Sequence, residues 1–141
     1  MSQLISLIYA SSANKMFSET ELVELLKFSR ENNKRLDITG MLLYKDGNFI
    51  QVLEGPEEAV DGLYQKIMGD PRHVNIMMLG KQPIPERQFA DWAMGFRNID
   101  KLTAAELEGF SSFMDADFTP DSFKDNPIRA YVMLLNFKKY M

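Results

Sequence analysis

The chain has 141 residues, 45% of them hydrophobic and 26% charged, with a net charge of −4. That size and balance give one soluble globular unit with a real core, and the basic residues are too dispersed (Lys34-Arg35 and Lys138-Lys139 come nearest to a cluster) for nucleic acid to be the expected partner. Zero cysteines and a single histidine, His73, remove disulfides, thiolate metal sites and cysteine nucleophiles, and leave zinc or triad chemistry little to work with.

The first apolar run, Leu4-Ile5-Ser6-Leu7-Ile8-Tyr9, reads as a strand. Ser18-Glu19-Thr20-Glu21 is a capping box, and the helix it opens is expected over about 19–33. Its apolar stripe runs through Leu22, Leu25 and Leu26, and the same spacing then lands on Ser29 and Asn33 with Asn32 beside them. A core-facing stripe that turns polar implies a ligand or a hydrogen-bond network. Ile38 to Tyr44 and Asn48 to Leu53 read as strands joined by Asp46-Gly47, a two-residue type I′ hairpin signal. In the second of these strands, alternation places Phe49, Gln51 and Leu53 on one face. A carboxamide there needs partners, because burying it unpaired costs about 1–3 kcal/mol. The phenol of Tyr9 is within reach if the two strands pair.

Gly55-Pro56 opens a second helix with Pro in its first turn and Val60, Leu63, Tyr64 and Ile67 on one stripe, and Asp70-Pro71 stops it. Ile76 to Leu79 extends as a fourth strand and Trp92 to Arg97 as a fifth, with Trp92, Met94 and Phe96 on one face. A second capping box, Thr103-Ala104-Ala105-Glu106, precedes a helix carrying Leu107 and Phe110, and Asn126-Pro127 starts a last helix with Ile128, Tyr131, Val132 and Leu135. The order is βαββαββ followed by helices. It predicts an α+β fold, a ferredoxin-like sandwich with a mixed sheet and two helices on one face, divided into 1–100 and a helical extension over 101–141. No apolar stretch reaches the roughly 20 residues of a membrane span and the start lacks a basic n-region followed by a long apolar h-region, so no membrane partner is expected and the cytoplasm is the default compartment.

Taken singly, these residues are ordinary: a strand-end Tyr is usually core, and Asn32-Asn33 alone would mark a helix end. Their joint order carries more. Leu7-Ile8-Tyr9-Ala10-Ser11, Ser29-x-x-Asn32-Asn33, Asp37-Ile38-Thr39-Gly40-Met41-Leu42, Phe49-Ile50-Gln51-Val52-Leu53-Glu54-Gly55, Asp70-Pro71-Arg72-His73 and Trp92-Ala93-Met94 together resemble the BLUF family of FAD-using blue-light sensors. The likeness implies a flavin ring between the two helices with Leu25 and Ile67 on its faces. Asn32 and Asn33 would bond its carbonyl and imide edge with Ser29 adjacent, and Arg72 and His73 would lie near the ring or its phosphate tail. Tyr9 and Gln51 would form a photoswitch, with Met94 and Trp92 passing the change on. FAD is the expected cofactor, held noncovalently; no Gly-rich phosphate loop is present, so FMN or riboflavin is expected to substitute.

Two other readings stand beside this one. A ferredoxin-like module holding flavin or another small ligand without signalling would not need Tyr9 and Gln51 for a light response. An acyl-phosphate hydrolase on the same fold would want an Arg and an Asn around a phosphate-cradling loop, and Ser11-Ser12-Ala13-Asn14-Lys15 lacks glycine. No enzyme activity is expected. With no room for a cyclase or phosphodiesterase after residue 99, the signal is expected to pass to an unidentified downstream protein. The apolar groups of the last 40 or so residues must cover the other face of the sheet or a second subunit, from which a dimer-based homo-oligomer is expected.

Overall fold

The computed structural model describes residues 3–15, 17–45, 47–90, 93–98, 120–125, 130–132, 134 and 135. Among them the elements are β1 (Leu4–Ala13), α1 (Glu19–Leu36), β2 (Thr39–Lys45), β3 (Asn48–Pro56), α2 (Glu57–Met68), β4 (His73–Pro83), β5 (Gly95–Asn98) and α3 (Pro120–Asp125). Residues 130–132, 134 and 135 are helical as well. The capping box at Thr103 and the helix over Leu107 and Phe110 lie outside the described residues, as do Asn126, Pro127, Ile128 and Trp92.

The sheet runs β4-β1-β3-β2-β5. Its first four strands are antiparallel, and β5 joins β2 in parallel, which makes the whole sheet mixed. This is the ferredoxin-like α+β arrangement extended by one strand. Lys45 pairs with Asn48, leaving a two-residue turn in which Gly47 takes φ 79°, a conformation that costs glycine little. At Gly40 a Cβ would meet the Val52 carbonyl oxygen at 2.0 Å, so only glycine lets β2 approach β3 there.

Alternation divides the core into two. Ile5, Leu7 and Tyr9 of β1, Leu42 and Tyr44 of β2 and Phe49 and Leu53 of β3 face α1 and α2, joined by Met94. Ile8, Met41, Leu43, Ile50 and Val52 point the other way, onto Phe89, Phe123, Ala130 and Leu134. The C-terminal helical residues therefore cover the far face of the sheet, one of the two places their apolar content allowed.

Several boundaries differ from the sequence reading. Strand β1 runs past Tyr9 to Ala13, β3 past Leu53 to Pro56 and β4 past Leu79 to Pro83, each extended by ladder pairing, and β5 starts at Gly95, so Met94 precedes the strand on which it was expected. Helix α1 continues one turn past Asn33 because Asp37, at φ 59°, closes it with its backbone N–H on the Asn33 and Lys34 carbonyls. Pro56 is not inside the first turn of α2 but caps it, still serving as the last residue of β3. Strand β4 begins at His73, three residues before the apolar run at Ile76, because His73 and Val74 pair with the polar end of β1 at Ala13 and Ser12.

Candidate functional site

The capping box at Ser18 forms as read, with the Ser18 hydroxyl taking the Glu21 N–H and the Glu21 carboxylate taking the Ser18 N–H. It sets the start of α1, and the 3.6-residue period then brings Leu22, Leu25, Leu26 and Asn33 to the buried face with Ser29 half-buried between them. Opposite, α2 presents Val60, Tyr64, Leu63 and Ile67. Between the helices lies a cavity of about 250 Å³. Its apolar walls are Leu25, Leu42, Leu63 and Ile67, its floor is Tyr9 and Gln51, its inner polar edge is Ser29, Asn32 and Asn33, and its rim carries Arg35, Lys66, Asp70, Arg72 and His73. Nine of the eleven residues singled out from sequence thus meet at one cavity. Met94 joins them through Gln51, and Trp92 is outside the described residues.

Tyr9 and Gln51 face each other directly across β1 and β3. The Tyr9 hydroxyl donates to Gln51 Oε1, and Gln51 Nε2 donates to Met94 Sδ at 3.3 Å. All three side chains are buried. Burial pushes the Tyr9 phenol far up, with Tyr64 and Asp70 adding to the effect, so it stays protonated and acts as a donor at neutral pH. The thioether is a weak acceptor, so the carboxamide's amino end rests on the poorer of its two partners.

Asn33 is 1% exposed, and its Nδ2 donates to the Ala93 carbonyl at 2.7 Å. Its Oδ1 accepts from no group among the described residues. A buried amide oxygen without a donor costs about 1–3 kcal/mol, and Asn33 is one of the residues that line the cavity, where a ligand N–H would satisfy it. Asn32, half-buried, accepts from Arg35. At the rim, Arg72 makes a bidentate pair with Asp70, Nε donating to Oδ1 and a terminal nitrogen to Oδ2, which holds the Asp70 carboxyl below the usual range. His73 Nδ1 lies 3.2 Å from the Ser11 hydroxyl and its ring packs 5.2 Å from Phe49; burial lowers its pKa. Flat apolar walls, an amide edge and a cationic rim suit a planar heteroaromatic ring with a polar imide edge and an anionic tail, which is the chemistry of a flavin.

Three side chains escaped the sequence reading. Arg30, one turn before Asn33, donates through Nε to the Met94 carbonyl at 2.9 Å. Glu54, 1% exposed on β3, takes the Gln88 and Phe89 N–H groups at 2.9 and 2.8 Å. Arg87 reaches the Thr39 hydroxyl, the Glu54 carbonyl and the Asp37 carbonyl. The i, i+3 spacing of Arg30 and Asn33 was the only signal available for any of them.

Comparison with known proteins agrees with this chemistry. The family model for BLUF, sensors of blue-light using FAD, matches residues 4–95. The chain is 40% identical over 120 residues to the photoactivated adenylate cyclase subunit beta of Euglena longa, covering 84% of this chain and 14% of that protein. It is 37% identical over 116 residues to the blue light- and temperature-regulated antirepressor BluF of Escherichia coli, covering 78% of this chain and 29% of that protein. Both relatives are therefore several times longer than the region they share with this chain. Among solved structures, the BLUF protein BlrB in its dark state matches at TM-score 0.68 and 39% identity over 77% of this chain and 83% of that one. The BlsA ground state matches at TM-score 0.75 and 30% identity over 94% of this chain and 87% of that one. A family match spanning most of the chain, on a sheet and cavity of this form, places the chain in the BLUF family of flavin-based blue-light sensors.

Proposed function

We propose that the chain is a blue-light photoreceptor whose switch is the Tyr9–Gln51 pair and whose signal goes to another protein or to its own assembly. The observation that carries this is the buried chain of hydrogen bonds from Tyr9 through Gln51 to Met94, two of whose members, Tyr9 and Gln51, line the cavity between the helices. FAD is the proposed cofactor, with Leu25 and Ile67 against the ring, Asn32 and Asn33 at its imide edge, Ser29 beside them and Arg72 and His73 near the ring or its phosphate tail. Because no Gly-rich loop cradles a phosphate, FMN and riboflavin are proposed to substitute. When bound and excited, a flavin supplies a strong one-electron oxidant.

The chain's own residues do the rest. Tyr9 carries an oxidisable phenol whose proton has one route out, its hydrogen bond to Gln51 Oε1. When Tyr9 regains its electron and proton, Gln51 is left in a second orientation or tautomer with different partners, and Met94 loses the amino group it held. Residues 1–100 form the sensor, whose strand β5 together with the helical extension over 101–141 serves as the relay. The protein is proposed to be cytoplasmic, to turn over no substrate and to assemble around a dimer. No helix among the described residues is long and apolar enough to cross a membrane.

The purified protein should be yellow, release flavin on heating, and show a small, reversible red shift of its flavin absorption under blue light. With no cysteine in the chain, bleaching to a thiol adduct is not expected. A well-folded protein from a flavin-replete host that carries no flavin, or whose spectrum is blind to light, would reduce it to a binding module.

A further inference from the structure

We propose that Arg30 is a positioning residue of the switch: by holding the Met94 backbone to α1 it keeps the Met94 sulfur against Gln51. The inference rests on the photoswitch reading above and extends it to a residue that touches neither the cavity nor Gln51.

Ala93 and Met94 lie just before β5, with the Met94 side chain in the core that faces the helices. The β2–β5 ladder begins at the Met41–Gly95 pair, so Ala93 and Met94 precede the register that fixes the strand. Their carbonyls are taken instead by two side chains of α1, three residues apart on one face: Asn33 Nδ2 on Ala93 at 2.7 Å and Arg30 Nε on Met94 at 2.9 Å. From the other side, Gln51 Nε2 reaches the Met94 sulfur at 3.3 Å. Met94 is thus held at its backbone by Arg30 and at its side chain by the switching carboxamide. Arg30 is itself solvent-exposed and makes no ion pair among the described residues, so its Nε donates to a carbonyl rather than to a carboxylate.

For Gln51 to take up a second set of partners, Nε2 must leave the sulfur. With the clamp in place, Met94 stays where it can receive Nε2 again, which favours return to the resting arrangement. Without the clamp, the segment relaxes once the amide has turned, and the route back requires finding the original position again. Loss of Arg30 should therefore lengthen the life of the lit state. The change is expected to be about tenfold, equivalent to about 1.4 kcal/mol at 25 °C.

Dark recovery after a blue flash, followed by flavin absorption in Arg30→Met and Arg30→Lys, tests this. Met keeps most of the aliphatic stem but cannot donate; Lys keeps a donor and the charge without the fork. Recovery should slow about tenfold in Arg30→Met and recover part of the way in Arg30→Lys. Trp92, the only tryptophan in the chain, lies two residues from Met94 and gives a second readout in the flavin-loaded protein. Its quenching by acrylamide in the dark should differ between Arg30→Met and wild type. If Arg30→Met recovers within twofold of wild type or faster, with unchanged Trp92 quenching, the clamp plays no part in the switch. That result would leave the photoreceptor reading intact, whereas a wild type with no photocycle would sink the reading itself. Should Arg30→Met fold poorly, Arg30→Gln, which retains an amide donor, carries the same two measurements with intermediate values expected.

Discussion

Tyr9 and Gln51 are direct cross-strand partners on β1 and β3, and the phenol of the first donates to Oε1 of the second. Register sets this pairing, not the reach of flexible side chains. A one-residue slip would send Gln51 to the face lined by Met41 and Phe89, far from the cavity.

Tyr9→Phe keeps the ring in its place beside Tyr64, 5.5 Å away, and removes only the hydroxyl. Gln51 Oε1 then loses its buried donor, which should destabilise the fold by about 1–2 kcal/mol without unfolding it. Flavin should stay bound and the light-induced red shift should vanish. Light-minus-dark spectra on the mutant decide the matter, and a shift of full amplitude would remove Tyr9 from the mechanism.

Asn33 donates to the Ala93 carbonyl, lines the cavity, and keeps an acceptor oxygen that takes no donor from the described residues. Asn33→Ala removes donor and acceptor alike. Flavin affinity should fall about 10- to 100-fold, corresponding to about 1.4–2.8 kcal/mol for one buried polar contact. Titration of flavin into the flavin-free mutant measures this; unchanged affinity would mean that the buried amide serves only to hold the Ala93 backbone.

The parts of this site that were legible in the sequence are those governed by period and local chemistry. Gln51 fell on a core face by alternation, Asn33 on a core stripe by helical spacing, and Ser18 with Glu21 announced the start of α1. What stayed hidden depends on where a distant backbone atom falls. Arg30 bonds a carbonyl 64 residues away, and Glu54 takes N–H groups 34 and 35 residues away. No pattern within one strand or helix records such a meeting. The longer β1 and β4 have the same cause, since Ser12 and His73 are extended by pairing and not by propensity: Ser12 bonds Asn48 at 2.8 Å and pairs with Val74.

His73 offers a pH test, because it is the only histidine in the chain. Burial lowers its folded pKa, opposed by Asp70 and assisted by Arg72. Its unfolded value is about 6.5, so between that pH and the folded pKa the unfolded chain binds a proton that the native state refuses. The stability contributed by neutral His73 is therefore complete above about pH 6.5 and falls as the pH drops through that window, levelling off below the folded pKa. Thermal melts should show a falling midpoint on mild acidification in the wild type and a flatter profile in His73→Gln. Parallel profiles would mean that another group controls this range; Asp70, held low by Arg72, titrates only well below it.

Glu54 tests whether the two faces of the sheet can be separated. Its carboxylate sits on the face away from the cavity, with Oε1 on the Phe89 N–H and Oε2 on the Gln88 N–H, while Arg87 ties the preceding residue of the same loop to the Glu54 carbonyl and to Thr39. Phe89 is fully buried against Ile50 and Val52, so this carboxylate holds the approach to β5 onto the sheet. Glu54→Gln preserves size but turns one acceptor into a donor that faces an N–H. The cost should be about 2–3 kcal/mol, because a charge-assisted bond is lost and a buried amide is left without a partner. In urea the midpoint should move down with little change in slope. The amplitude of the light-induced shift should be unchanged, since Tyr9, Gln51 and Met94 lie across the sheet. A mutant with wild-type stability would mean that Arg87 alone secures the loop. A mutant that loses the red shift while still binding flavin would show instead that the far face is coupled to the switch through β3, where Glu54 and Gln51 are three residues apart.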